Sequence, residues 1–216
     1  MNKMPVITNM HVYDLEETLV ASGYAMINEY DTIDICKKLD DLRGTVYGPY
    51  AAEENAHVKR AMVLTKAPLN SGHCSFLKGI VVNMDLTFTN KVWIEFQRYH
   101  FADIITGMST MHRLSRFDLE SAFIDYVSPE IIEVMKRLQQ DYNNNPTKEN
   151  YLSLVYSCPS GLKMTGRVTT NYLQLMTIYK QRHNHRLPEW RTFCKECVDQ
   201  LPFFEDFLIA NGVEIK

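Results

Sequence analysis

Three stretches of this 216-residue chain concentrate side chains able to hold an anion or the polar rim of a ring. The first is Gly72-His73-Cys74-Ser75-Phe76, where an imidazole and a hydroxyl stand close together before an apolar run. The second joins Gln97-Arg98-Tyr99-His100 to Met111-His112-Arg113 and Arg116. Arginine suits phosphate because its planar fork makes two parallel charge-assisted hydrogen bonds. The third is Arg182-His183-Asn184-His185-Arg186, with Asn171 upstream of it as a further polar wall. Each stretch has a plainer reading beside the chemical one. His73 and Ser75 suit a turn with a capping serine and a core phenylalanine, and the second cluster suits a solvated helix face. The third suits a surface loop between two helices. In the second cluster Phe96, Tyr99 and Phe101 alternate with the basic residues, which predicts that part of that face is buried. A buried arginine must find an anion or an acceptor.

Other chemistries have little support. Cys194-Lys195-Glu196-Cys197 has the spacing of a zinc or redox pair, but no second Cys or His pair lies at a finger-like distance. Buried thiols on a helix are the preferred reading, and no metal site is expected. There is no phosphate loop, dinucleotide glycine fingerprint or nucleophile elbow. The five cysteines are odd in number and scattered, which points to a reducing compartment. A net charge of −3 and a pI near 6.2 favour neither nucleic acid nor an anionic membrane as a partner. Met1 to Thr8 lacks the apolar core of a signal peptide, and no run reaches the roughly 18 apolar residues of a membrane span. A soluble, cytoplasmic protein is expected.

The length suits one domain spanning residues 1–216, and the 45% hydrophobic content suits a sizeable core. Residues 14–22 read as a short helix stopping near Gly23. Residues 30–50, punctuated by Gly44, Gly48 and Pro49, read as an irregular insertion. A helix over Glu53 to Lys66 must end before Pro68. Val82, Met84, Leu86 and Phe88 alternate with Asn83, Asp85 and Thr87, which predicts a half-buried strand from Ile80 to Thr89. Helical texture follows from Asn90 to about Ile105. Pro129 opens a helix to about Asp141, and Pro146 opens the next, to about Cys158. Gly161 to Thr169 reads as a second strand. Asn171 to Arg182 places Leu175, Ile178 and Tyr179 on one helical face. A last helix runs from Pro188 into Phe203, Phe204, Phe207 and Leu208. Strands mixed irregularly with helices argue for an α+β fold, a mixed or antiparallel sheet flanked by helices.

Taken together, the three polar stretches resemble the flavin-dependent thymidylate synthases. That family carries a Gly-His-x-Ser/Thr-Pro-Phe element before a strand, then an Arg-His-Arg-x-x-Ser signature on a helix. Here His73 precedes Arg98 at a similar interval. The family's later Leu-Pro, Asn-x-x-x-Leu, Leu-Arg and Trp-Glu features have counterparts, in the same order, in Pro159, Asn171, Arg182 and Glu189-Trp190. Ala21-Ser22-Gly23-Tyr24 resembles the family's early Ala-Arg-x-Ser segment. The likeness covers most of the chain outside residues 30–50.

By this resemblance His73 and Ser75 would help hold FAD, Arg98, Tyr99 and His100 would approach the flavin and its phosphates, and Asn171 would sit against flavin or nucleotide. Ser109 and Arg113 would serve the nucleotide, and Arg182 would bind and polarise the pyrimidine. The implied reaction is methylation of dUMP at C5 with methylenetetrahydrofolate and NADPH, in a homotetramer. The sequence departs from the family in several places. Tyr99 and His100 replace the His and second Arg of the signature, and Asp103 stands where its first Ser belongs. Ser109 and Arg113 fit only with shifted spacing. The proline before Phe76 is missing, and Val155 takes the place of a phosphate-binding arginine. Two alternatives therefore stand: a related flavin enzyme acting on another pyrimidine nucleotide, and a non-catalytic flavin or nucleotide binder.

Overall fold

A computed structural model describes residues 5–26 and 55–215 of the chain. The insertion expected at residues 30–50 lies outside the described residues. The chain forms two compact units interleaved in sequence. The first comprises Met1–Thr8 and Asp85–Val168, the second Asn9–Met84 and Thr169–Lys216. Two long strands, β2 (Val81–Thr89) and β4 (Lys163–Asn171), pass from one unit into the other. With β1 (Ile7–Tyr13) and β3 (Asp103–Gly107) they build a four-stranded sheet in the order β1-β2-β4-β3. The amide of Tyr172 reaches Ile80 and the Thr87 hydroxyl meets that of Thr165, so one strand descends as the other rises. The sheet is antiparallel and helices accompany it, an α+β architecture as the element pattern implied.

The alternation in β2 does what its period demands. Val82, Met84, Leu86 and Phe88 are fully buried, while Asn83, Asp85 and Thr87 stay half-exposed. In the first unit the opposite face carries polar cross-strand pairs: Thr87 with Thr165 at 2.8 Å, and Arg167 donating to Asp85 at 3.0 Å.

Helix starts follow local chemistry. Before α1 (Leu15–Ala21), Asp14 is left-handed; before α2 (Ala56–Thr65), Asn55 accepts from the His57 and Val58 amides. Thr89 caps α3 (Asn90–Phe96), and the short α4 spans Thr110–Arg113. Pro129 opens α5 (Pro129–Asn144), and Thr147 caps α6 (Lys148–Tyr156). Asn171 caps α7 (Tyr172–Arg182), and Pro188 opens α8 (Pro188–Gln200). Among the described residues no helix is long and apolar enough to cross a membrane.

Two expectations are corrected. The helix from Asn90 stops at Phe96, and residues 103–107 form an edge strand instead of more helix. The Arg98 and Tyr99 amides fold back on Glu95 and Phe96, tightening and ending the last turn. All five residues of β3 are exposed, so no apolar alternation marked them. The final helix is also two. Pro202 lacks the amide a helix needs, Phe203 turns left-handed at φ 56°, and α9 (Phe204–Ala210) begins anew. Strand β1 was not anticipated, because only Ile7 among its residues is buried.

In the first unit the core centres on Phe88, Trp93 and Phe96. The Trp93 ring meets the other two edge-on, both at 5.4 Å. Trp93 also donates to the Met164 carbonyl at 2.9 Å and lies against Gly166, where an added Cβ would come within 3.2 Å of the indole. Glycine gives the ring room as it crosses the strand; a Cβ would press on it. Leu114, Leu119, Phe123, Met135, Leu154 and Leu162 make a separate cluster beneath α5 and α6. In the second unit Tyr172, Phe204 and Phe207 pack edge-to-face, and the Tyr172 hydroxyl donates to Pro202 O. Each such aromatic pair contributes about 0.5–1.5 kcal/mol beyond area burial.

Candidate functional site

The residues singled out by sequence divide between the two units. His73, Ser75, Asn171 and Arg182 belong to the second; Arg98, Tyr99, His100, Ser109 and Arg113 belong to the first.

In the second unit Gly72–Lys78 winds as a 3-10 helix. With three residues per turn, Cys74 and Leu77 share one stripe and are buried. Cys74 Sγ points at the Ala67 carbonyl, 3.3 Å away. That anchoring turns His73 and Ser75 outward, and both are exposed. Phe76 packs edge-on against Phe207 at 6.2 Å but stays half-buried, short of the core aromatic expected, while Ser75 is no cap. This segment packs against α7, whose Leu175, Ile178 and Tyr179 are buried as the helical face predicted.

Asn171 and Arg182 bracket α7. At 1.5 Å rise per residue they stand roughly 16 Å apart along it, too far for one small group to touch both. Asn171 Oδ1 accepts from the Gln174 amide at 2.9 Å, which leaves its amide nitrogen as a donor. Arg182 is half-buried. Its Nη1 donates to His185 Nε2 at 2.9 Å, and its guanidinium carbon lies 4.9 Å from the centre of the fully buried Trp190 ring. The Leu187 amide also approaches His185 Nδ1, at 3.2 Å. A neutral imidazole accepts at only one nitrogen, so it serves one of these donors at a time. His183 is satisfied internally: its ring stacks on Tyr179 at 5.3 Å, and its nitrogens meet Tyr179 O and Asn184. The 182–186 stretch does connect two helices, yet much of it is pinned. Trp190 and His185, which hold Arg182, received no such role from the sequence. Their signals were the Glu189-Trp190 pair and the place of His185 in the third polar stretch.

Ala21-Ser22-Gly23 has a structural duty here. Arg60 Nη2 donates to the Leu19 and Val20 carbonyls at 2.9 and 3.1 Å, and its Nε donates to Ser22 Oγ at 3.1 Å, closing the end of α1. Burial lowers the Arg60 pKa. A Cβ on Gly23 would fall 2.6 Å from the guanidinium carbon, so a side chain there would push the Arg60 head off these bonds.

In the first unit Arg98, Tyr99 and His100 follow the end of α3. Phe96 is buried and holds the half-buried Tyr99 at 6.3 Å, but Arg98, His100 and Phe101 are exposed. Part of that face is buried, as expected, but through Phe96 and half of Tyr99; the basic residues stay in solvent. Among the described residues Arg98 and His100 have no side-chain hydrogen bond or ion pair. Ser109 precedes α4, and its hydroxyl makes no cap, while its carbonyl accepts from the Arg113 amide at 3.1 Å. Arg113 is exposed at the end of that turn.

The described thiols are poor nucleophiles. Burial pushes Cys158 up to about 11 and Cys194 up to about 12, and raises Cys74 and Cys197 as well. Cys194 and Cys197 lie buried on α8, the preferred reading of that pair.

This α+β arrangement is the fold of the flavin-dependent thymidylate synthases. No protein-family model matches the chain, and no curated protein matches it by sequence. Among solved structures, the flavin-dependent thymidylate synthase ThyX of Helicobacter pylori complexed with FAD and dUMP is similar at a TM-score of 0.63. The two are 16% identical, over 98% of this chain and all of that one. A second structure of the same enzyme with FAD and dUMP gives 0.62 and 15% identity, over 97% and 99% of the chains.

Proposed function

We propose that this protein is a flavin-dependent enzyme that methylates dUMP at C5 to give dTMP, using methylenetetrahydrofolate and NADPH. The observation that carries the reading is the end-to-end likeness to an enzyme that holds FAD and dUMP, with the motif order from His73 to Trp190 in support. Each group taken by itself supports an FAD role: His73 and Ser75 are exposed on a buried backing, and Arg98 and His100 are cationic or ionisable groups without an internal partner among the described residues. These suit phosphate oxygens, with Tyr99 and the Asn171 amide nitrogen as further contacts. Bound FAD would supply the redox chemistry and the one-carbon carrier. The protein then needs no thiolate nucleophile, in keeping with four described cysteines held protonated.

Ser109 and Arg113 would bind the nucleotide. Arg182, held on Trp190, would donate to the uracil carbonyl and stabilise charge that builds on the ring. The oligomer proposed is a homotetramer. A second reading keeps the flavin and changes the nucleotide, favoured by Val155 where a phosphate-binding arginine is expected and by the shifted Ser109 and Arg113. The purified protein should show flavin absorbance after FAD is added and turn over dUMP. Turnover of dCMP alone would select the second reading. A protein that stays colourless with FAD would leave a non-catalytic scaffold.

A further inference from the structure

A groove of about 450 Å³ opens inside the first unit, where α5 ends and α6 begins. Met111, His112, Tyr142, Thr147, Lys148 and Tyr151 line it, and none of the residues assigned above to cofactor or nucleotide does. Its volume falls within the range of small-molecule sites, roughly 300–1,000 Å³. The walls are fixed. Tyr151 donates its hydroxyl to the Met111 carbonyl at 3.0 Å, and its ring stands 5.8 Å from that of Tyr142, tilted by 57°. Thr147 accepts the Asn150 amide at 3.2 Å, and Asn150 Nδ2 donates to the Asn145 carbonyl at 2.8 Å, which ties down the turn between the helices.

Two of the polar groups that line the groove are not spent on the wall. Among the described residues neither Lys148 nor His112 makes a side-chain hydrogen bond or ion pair. The adjacent acids Asp141 and Glu149 are exposed and do not line it. An uncompensated ammonium and an imidazole attract an anion, while two tyrosine faces and a thioether favour a flat ring. We propose that this groove is a second ligand site, taking a small aromatic anion of nucleoside-monophosphate size, held by Lys148 and His112 and packed on Tyr142 and Tyr151. The anionic group is a phosphate or a carboxylate, and the test separates the two.

The Met111 methyl reports from inside the groove. With ¹³C-methyl methionine in the full chain, Met111→Leu assigns the signal among the eleven methionines. Titration with dTMP and with p-aminobenzoylglutamate should move that signal saturably with at least one of them, and uncharged thymidine should act far more weakly. Lys148→Ala with His112→Ala should weaken the response by at least about tenfold, the scale of a lost charge-assisted bond. The other methionine signals confirm that the variant is folded. Arg182→Ala and Arg113→Ala, which strike the proposed nucleotide contacts, should leave the Met111 response intact, so failure of the proposed flavin chemistry and failure of the groove are read separately. A Met111 signal unmoved by both anions, or a response undiminished in the double variant, overturns the proposal.

Discussion

Arg182 and Arg98 carry the same charge and are held in opposite ways. Arg182 is half-buried, donates to His185 and lies over Trp190. Arg98 stands exposed just past the end of α3, without a side-chain partner among the described residues. A guanidinium already fixed by its neighbours loses little rotamer freedom when a ligand arrives, whereas a solvated one forfeits up to about 2 kcal/mol of it. Under the proposed function, orientation would fall to Arg182 and general attraction of phosphate to Arg98. That division is the one the proposed roles would need if the base is aimed and the phosphate chiefly attracted.

The sharpest way to break this contrast is Arg182→Ala. Loss of one charge-assisted bond should cost about 1.5–3 kcal/mol of nucleotide affinity, read by calorimetric titration with dUMP. Thermal melting should shift little, because the Trp190 ring stays buried. Unchanged affinity would show that the base contacts another residue.

Arg98→Ala should have a smaller effect, on the order of 1.5 kcal/mol or about tenfold in FAD retention. Its contact is solvated, so the wild-type advantage should shrink as salt rises. FAD bound equally well by wild type and variant at low salt would remove Arg98 from the cofactor.

The elements that the sequence made legible are those with a period or a cap. Strand β2 was legible because one face is buried along its length, and α7 because Leu175, Ile178 and Tyr179 recur at helical spacing. β3 was not, since Asp103–Gly107 buries nothing and its pairing partner lies some sixty residues downstream. The break at Pro202 was hidden by apolar residues on both sides of it. At the candidate site, residue types announced the cations but not their state. Nothing in the one-dimensional pattern says that Arg182 would be clamped by His185 and Trp190 while Arg98 stays solvated. Ser22 and Gly23 fit a motif segment, and the pattern did not reveal that the space beside them belongs to Arg60.

The same contrast can be sharpened within one residue. Asn171 gives its carbonyl oxygen to the Gln174 amide as a helix cap, and its amide nitrogen is what would remain for flavin or nucleotide. Asn171→Ala removes both functions and should cost about 1 kcal/mol of stability in denaturant unfolding. Asn171→Ser restores the cap, because a serine hydroxyl accepts at that position about as well, but offers no amide donors. If the amide touches the ligand, the serine variant should unfold like wild type and still bind FAD or dUMP a few-fold more weakly. Binding restored together with stability would mean that Asn171 only starts the helix, and that the aimed contact at this end of α7 must come from another side chain.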